Sequence, residues 1–217
     1  MERLICLLIG YVCGLFQTSF ILGKIYKTDI RKHGSGNAGT TNALRTFGKK
    51  AGAITLLGDC LKTIVAICIV RFIFKNTFAE ILPLLSIYAA FGTVLGHNFP
   101  FYMGFRGGKG FAASVGFAIA FDWRLFVLGL ILFFVILFAT HYVSLGSMTV
   151  YAVALVYMIV MGQCGAYGMA QKNLTELYLV MAFMTALLFF RHRKNIERLL
   201  KGTENKTFLG KSKAEEE

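Results

Sequence analysis

The sequence predicts an all-α integral membrane protein of about seven transmembrane helices, with the N-terminus outside and the C-terminus in the cytoplasm. Three observations predict it. Hydrophobic residues fill 56% of the 217 positions and only two residues are proline. The mean hydropathy of +0.63 is too high for an ordinary soluble domain of this size. Several apolar runs reach or approach the ~20 residues that cross a ~30 Å hydrocarbon core as a helix, and basic residues gather on one side of the resulting plan.

The first run, Leu4 to Leu22, is long enough to span and has no small-residue cleavage site, so it is expected to stay as the first helix, near 3–23. Further spans are expected near 51–74, 81–97, 110–121, 124–143, 146–162 and 174–190. The run 110–121 is the short one: at 1.5 Å per residue it covers only ~18 Å, which also fits a half-helix or re-entrant segment. With seven spans, seventeen Lys and Arg residues fall on one side and five on the other. The positive-inside rule then makes the basic side cytoplasmic. Six spans would split the glycine-rich basic loops across the membrane, an independent reason to count seven.

The formal charge of +12 has no need of nucleic acid, because basic cytoplasmic loops account for it. Five cysteines, Cys6, Cys13, Cys60, Cys68 and Cys164, lie inside apolar runs without a CxxC pair. That pattern supports neither a disulfide framework nor a metal site. No internal repeat marks an inverted-repeat transporter. Residues 1–200 are expected to form the membrane domain, and 201–217, which ends in Glu215-Glu216-Glu217, a polar cytoplasmic tail.

Four segments carry chemistry. The first loop, from His33-Gly34-Ser35-Gly36-Asn37 to Asn42 and Arg45, holds a formal G-x-G-x-x-G. No strand precedes it, and Asp59, the acidic residue where a dinucleotide site needs one, lies in an apolar helix. Its Gly, Ser, Asn and Thr supply hydrogen-bonding groups, and Arg45 can hold a phosphate bidentately. The second loop begins at Gly96-His97-Asn98-Phe99-Pro100 and reaches Phe105-Arg106-Gly107-Gly108-Lys109-Gly110. Glycine allows backbone N–H groups to approach an anion, and lysine adds a point charge. Met103 and Gly110 stand where a Walker A loop needs Gly and Ser or Thr, so the segment lacks what NTP hydrolysis requires. Snorkelling at the membrane surface would explain Arg106 and Lys109, though not four glycines around them.

The third segment, His141 to Ser147, offers the hydroxyls of Ser144 and Ser147 either to a polar ligand or to the cap of the next helix. The fourth runs from Arg191-His192-Arg193 through Asn195 to Lys206, with His192, Asn195 and Leu199 on one helical face. Asp59 and Lys62, three residues apart in the second span, read as a supporting ion pair.

Taken together, the first loop (Gly34 to Asn42), the second (Gly96 to Pro100, Phe105 to Gly110) and the fourth (His192 to Lys206) resemble the three signature motifs of the bacterial acyl-phosphate:glycerol-3-phosphate acyltransferases, the PlsY type. The likeness covers nearly the whole chain. Ala38 stands where that family often has proline, Thr40 where alanine is usual and Arg106 where lysine is usual; none removes a functional group. The histidine-x4-aspartate of other acyltransferases is absent, His192 having Glu197 at that spacing.

The resemblance implies transfer of a fatty acyl chain from acyl phosphate to the sn-1 hydroxyl of glycerol 3-phosphate at the bacterial plasma membrane, without cofactor or metal. It implies roles for His192, Lys109, Arg45 and Asn195 in catalysis. Substrate binding falls to Ser35, Asn37, His97, Gly107, Gly108, Gly110, Ser144 and Ser147, with Asp59 and Lys62 in support. The resemblance leaves three candidates for the base: His192, His97 and the acyl phosphate itself. A carrier or binder of a phosphorylated lipid or small molecule is the competing reading, and it would want polar access from both sides.

Overall fold

The structure, a computed structural model, describes residues 1–208. Glu215-Glu216-Glu217 lie outside the described residues. Regular structure among the described residues is helical throughout: α1 (Glu2–Gly14), α2 (Thr18–Ile25), α3 (Thr40–Phe47), α4 (Lys49–Phe74) and α5 (Leu82–Asn98), then α6 (Phe111–Phe121), α7 (Trp123–Thr140), α8 (Val143–Gln163), α9 (Gln171–Arg191) and α10 (Arg193–Leu200).

Six stretches of helix among them are long and apolar enough to cross a membrane, α1 with α2 counting as one. The eleven residues of α6 rise only ~16 Å. Side-chain bonds nevertheless make α6 a pass. At one end of the bundle, Arg3 at the start of α1 and Tyr88 on α5 both bond Glu176 of α9, at 2.5 and 2.8 Å. At the other end Lys109 bonds Asn195, Ser144 on α8 bonds Glu204 at 3.1 Å and Arg45 bonds Thr207 at 2.6 Å. The chain therefore leaves the second end at Gly110 and returns to it by His141, going out as α6 and back as α7. The N-terminus and residues 201–208 accordingly lie at opposite ends, as seven passes require.

Two features let a helix this short serve. It begins below the end of the bundle, after a turn whose Gly107, Gly108 and Gly110 are buried in protein, and irregular backbone is tolerated at membrane depth only in such a setting. It also lies against α4 so closely that a Cβ on Gly116 would stand 2.2 Å from the Cys60 carbonyl oxygen. The same close approach joins α1 to α5: a Cβ on Gly14 would come within 2.3 Å of the Thr93 oxygen, and one on Gly96 within 2.2 Å of the Tyr11 oxygen. Gly10-x3-Gly14 and Gly92-x3-Gly96 are small-residue stripes of the kind that lets membrane helices pack backbone to backbone.

The expected first span is broken at Leu15–Gln17, where a helix crossing apolar lipid would normally continue. Lys62 donates to the freed Phe16 carbonyl at 2.8 Å, and the buried Gln17 amide donates to the His97 carbonyl at 2.9 Å. Both bonds satisfy backbone that the bilayer could not. The other spans lie within three residues of their expected bounds.

Candidate active site

A cavity of about 420 Å³ opens at the end of the bundle that carries the basic loops. Its mouth is polar and its shaft, between α6, α7 and α8, is apolar. Each loop reaches the mouth by a local device.

In the first loop Asn42, 1% exposed, donates to the carbonyls of Ile30 at 3.1 Å and His33 at 3.0 Å, and its Oδ1 accepts from the Ser35 N–H at 2.8 Å. One side chain thus folds the loop back on itself and sets Ser35 at the cavity. Gly34, at φ +55°, makes the turn. Arg31 pairs with Asp29 at 2.8 Å and donates to the Met103 carbonyl at 2.9 Å, tying this loop to the second. That pairing holds the Asp29 carboxyl down at about 2. Arg45, in the last turn of α3, faces the mouth, and burial lowers its pKa.

The second loop differs from the expected phosphate cradle. Gly107 donates its N–H to the Asn98 carbonyl and Gly108 to the His97 carbonyl, both at 3.1 Å, so neither amide is free for a ligand, and neither glycine lines the cavity. Their requirement is steric: a Cβ on Gly107 would lie 2.0 Å from the His97 oxygen, and one on Gly108 2.1 Å from His97 Nε2. Arg191 clamps the turn from α9, donating to the carbonyls of Gly107 at 3.0 Å and Gly108 at 2.8 Å with its guanidinium over the Phe99 ring. What the turn presents is Lys109 and Gly110. Beyond Gly110, at φ +86°, the N–H groups of Phe111, Ala112 and Ala113 precede the first bond of α6, from Ser114 N–H to Gly110 oxygen. A helix start of this kind favours an anion. Arg106 is exposed and outside the cavity.

Lys109 bonds Asn195 Oδ1. Burial, opposed by the nearby Glu204, pushes the Lys109 pKa down to about 8. Asn195 donates in turn to Glu204 at 2.7 Å, which also takes bonds from Arg198 at 2.7 Å and from Ser144. Residues 201–208 therefore lie across the mouth: Arg45 reaches Thr207, the Thr207 N–H donates to the His141 carbonyl at 2.8 Å, and Phe208 packs on the His141 ring.

The two histidines that line the cavity, His97 and His192, have opposite tautomers. His192 Nδ1 lies 2.9 Å from the Leu188 carbonyl, which only accepts, so Nδ1 carries the proton and Nε2 keeps its lone pair. Burial, reinforced by Lys109, lowers the His192 pKa to about 4; at neutral pH the ring is an uncharged acceptor. At His97, Nδ1 faces Lys62 Nζ at 2.7 Å. Lysine only donates, so the His97 proton sits on Nε2. Lys62 also reaches Asp59 Oδ1 at 2.9 Å and, with the Phe16 carbonyl, meets three acceptors with its three N–H bonds.

Ser35, Asn37, Arg45, His97, Lys109, Gly110, Ser144, Ser147, His192 and Asn195 all line the one cavity, as does Asp59; Lys62 stands behind it. Ser147 gives its hydroxyl to its own helix, at 2.8 Å from the Val143 oxygen. Glu204, Arg198, Thr207 and Arg191 escaped the sequence reading. Glu204 is one of two carboxylates among the basic residues of 191–206, with Glu197, and nothing in the sequence marks it as the buried one.

The glycerol-3-phosphate acyltransferase family model matches residues 4–202. A glycerol-3-phosphate acyltransferase of Clostridioides difficile (strain 630) is 41% identical over 204 residues, 94% of each chain. One of Alkaliphilus metalliredigens (strain QYMF) is 37% identical over 95% of this chain and 96% of that one. The crystal structure of PlsY (YgiH), an integral membrane glycerol 3-phosphate acyltransferase, in its glycerol 3-phosphate form superposes with a TM-score of 0.82 at 29% identity, covering 96% of both chains. Its lysophosphatidic acid form gives 0.79. A family match over nearly the entire chain, a shared helical fold and three motif loops closing on one cavity agree: this protein belongs to the glycerol-3-phosphate acyltransferase family.

Proposed function

We propose that this protein transfers a fatty acyl group from acyl phosphate to the sn-1 hydroxyl of glycerol 3-phosphate, releasing lysophosphatidic acid and inorganic phosphate. The observation that carries the reading is one cavity with a cationic mouth, at Arg45, Lys109 and Arg198, continuous with an apolar shaft. A phosphorylated headgroup and an alkyl chain fit it together.

Lys109 and the start of α6 take the acyl phosphate. Arg45, Ser35 and Asn37 take glycerol 3-phosphate, with Asn195 between the two. The hydroxyl attacks the acyl carbon, the new C–O bond forms, and the bond from carbon to the phosphate oxygen breaks. His192 Nε2 receives the hydroxyl proton and passes it to the departing phosphate. His192 keeps its Nε2 lone pair at neutral pH, and the two bound phosphates favour its protonated form and so raise its basicity above that of the empty site, which supports His192 for this role; His97 Nε2, already protonated, is unsuited to it. Lys109 meets the charge that develops on the oxyanion and leaving group. A mixed anhydride is already activated, and the hydroxyls of Ser144 and Ser147 are engaged with Glu204 and Val143; direct attack follows, without an acyl-enzyme.

The excess of basic residues at the cavity end supports a cytoplasmic site in a bacterial plasma membrane. Residues 1–200 form the acyltransferase body, and the tail from Lys201 lends it Glu204.

A carrier is the competing reading. In sealed vesicles of reconstituted protein supplied with acyl phosphate, labelled glycerol 3-phosphate is expected in lysophosphatidic acid, with no label accumulating unmodified in the lumen. Lumenal accumulation without acylation would overturn the proposal.

A further inference from the structure

The shaft of the cavity has a floor, and three helices place it at the same depth. On α8 the lining runs from Val143 to Ala154, eleven residues or ~16 Å at 1.5 Å per residue. On α7 it runs from Leu137 to Leu125, ~18 Å by the same rise. α9 touches the cavity at Met181 alone, ~16 Å along the helix from His192 at the mouth. Below that level the helices close: Met158, one turn past Ala154, and Leu177, one turn from Met181, are both 0% exposed. Ala118 completes the floor from α6, where the lining stops three residues short of the helix end.

We infer that this floor, formed by Ala118, Leu125, Ala154 and Met181, is a ruler for the acyl chain, set for about 14 to 16 carbons. The inference rests on the acyl-transfer reading for the identity of the chain, and on the cavity alone for its length. An extended backbone advances ~3.5 Å for every three bonds, or ~1.2 Å per bond. A depth of ~16–18 Å thus takes about 13 to 15 bonds below the carbonyl carbon, or about 14 to 16 carbons in all, by that same advance. Two of the four floor residues are alanines, and both lie where a larger side chain would rise into the shaft. The side between α4 and α7 is less closed, with Ala53 and Leu56 exposed; a chain escaping there would not feel the floor, and the two outcomes are separable.

The test is binding of straight-chain alkylphosphonates of 10 to 20 carbons to the purified protein, by calorimetry. Each carbon that enters the shaft should tighten binding roughly fourfold, as burial of a CH2 group does. The gain should stop near 14 to 16 carbons. With Ala154→Leu the break should move about two carbons shorter, with the 16-carbon ligand losing roughly fifteenfold relative to the 12-carbon one. Ala118→Leu approaches from the opposite wall and should shift it the same way. Affinity that climbs unbroken to 20 carbons, or a break that neither variant moves, would overturn the ruler. Binding needs no turnover, so a break at the expected length in a protein that acylates nothing would leave the ruler standing and remove the acyl-transfer reading.

Discussion

Replacing Lys109 with methionine is expected to lower kcat/KM by two to three orders of magnitude while leaving the fold intact. The side chain lies at the mouth of the cavity, and its bond to Asn195 keeps the ammonium beside the start of α6. Removing one preorganised donor to a developing oxyanion costs about 10²–10³ in rate in other enzymes. Methionine matches the length of the apolar stem and removes only the charge, so a loss of this size would report chemistry rather than packing. The pH profile gives a second reading of the same residue. With its pKa down at about 8, Lys109 is charged below that pH and loses its proton above it. The wild-type kcat/KM should therefore fall as pH rises through about 8, a limb that Lys109→Met should abolish. Bound phosphate favours the ammonium, so the limb in kcat should lie at higher pH than the limb in kcat/KM. Loss of less than tenfold, with the alkaline limb unchanged, would take Lys109 out of the reaction.

Lys62→Met is expected to have the largest effect on stability. The ammonium is 4% exposed and pairs with Asp59, 1% exposed; it also holds the Phe16 carbonyl at the α1–α2 break and His97 Nδ1. Removing it leaves a buried carboxylate with no cation, held only by the Thr18 hydroxyl at 3.4 Å, and breaking a buried ion pair in this way costs about 3–5 kcal/mol in comparable pairs. Converting both members to apolar residues of similar volume is far milder. The double variant Asp59→Leu/Lys62→Met should therefore unfold in detergent closer to wild type than Lys62→Met alone. Its activity should stay low, because the Lys62 bonds to His97 and Phe16 are still missing. A single variant as stable as wild type would show that the pair is not holding the break.

Much of this was legible in the chain. Apolar length gave the spans, and the glycine-rich loops marked the segments that converge. The convergence of Ser35, Arg45, Lys109, His192 and Asn195 on one cavity needed only seven passes and motifs all on one side. Three things escaped for physical reasons. The break at Leu15–Gln17 is marked locally only by the polar run Gln17-Thr18-Ser19, which a buried helix would also tolerate; the groups that satisfy it, the His97 carbonyl and Lys62, lie more than forty residues away. The turn at Gly107-Gly108 carries the composition of an anion cradle, yet its glycines serve close packing against His97; composition does not distinguish a backbone near a ligand from a backbone near another backbone. Glu204 read as part of the polar tail from Lys201 because charge alone does not reveal burial; only the side chains of Asn195, Arg198 and Ser144 around it do.

The most direct measurement is phosphate release by purified protein, with the two substrates offered separately and together, and with acyl-CoA in place of acyl phosphate. Acyl phosphate and glycerol 3-phosphate together should yield phosphate and lysophosphatidic acid in equal amounts, with no release from either alone and none of the product from acyl-CoA. Product formed from acyl-CoA, with acyl phosphate inert, would contradict the account.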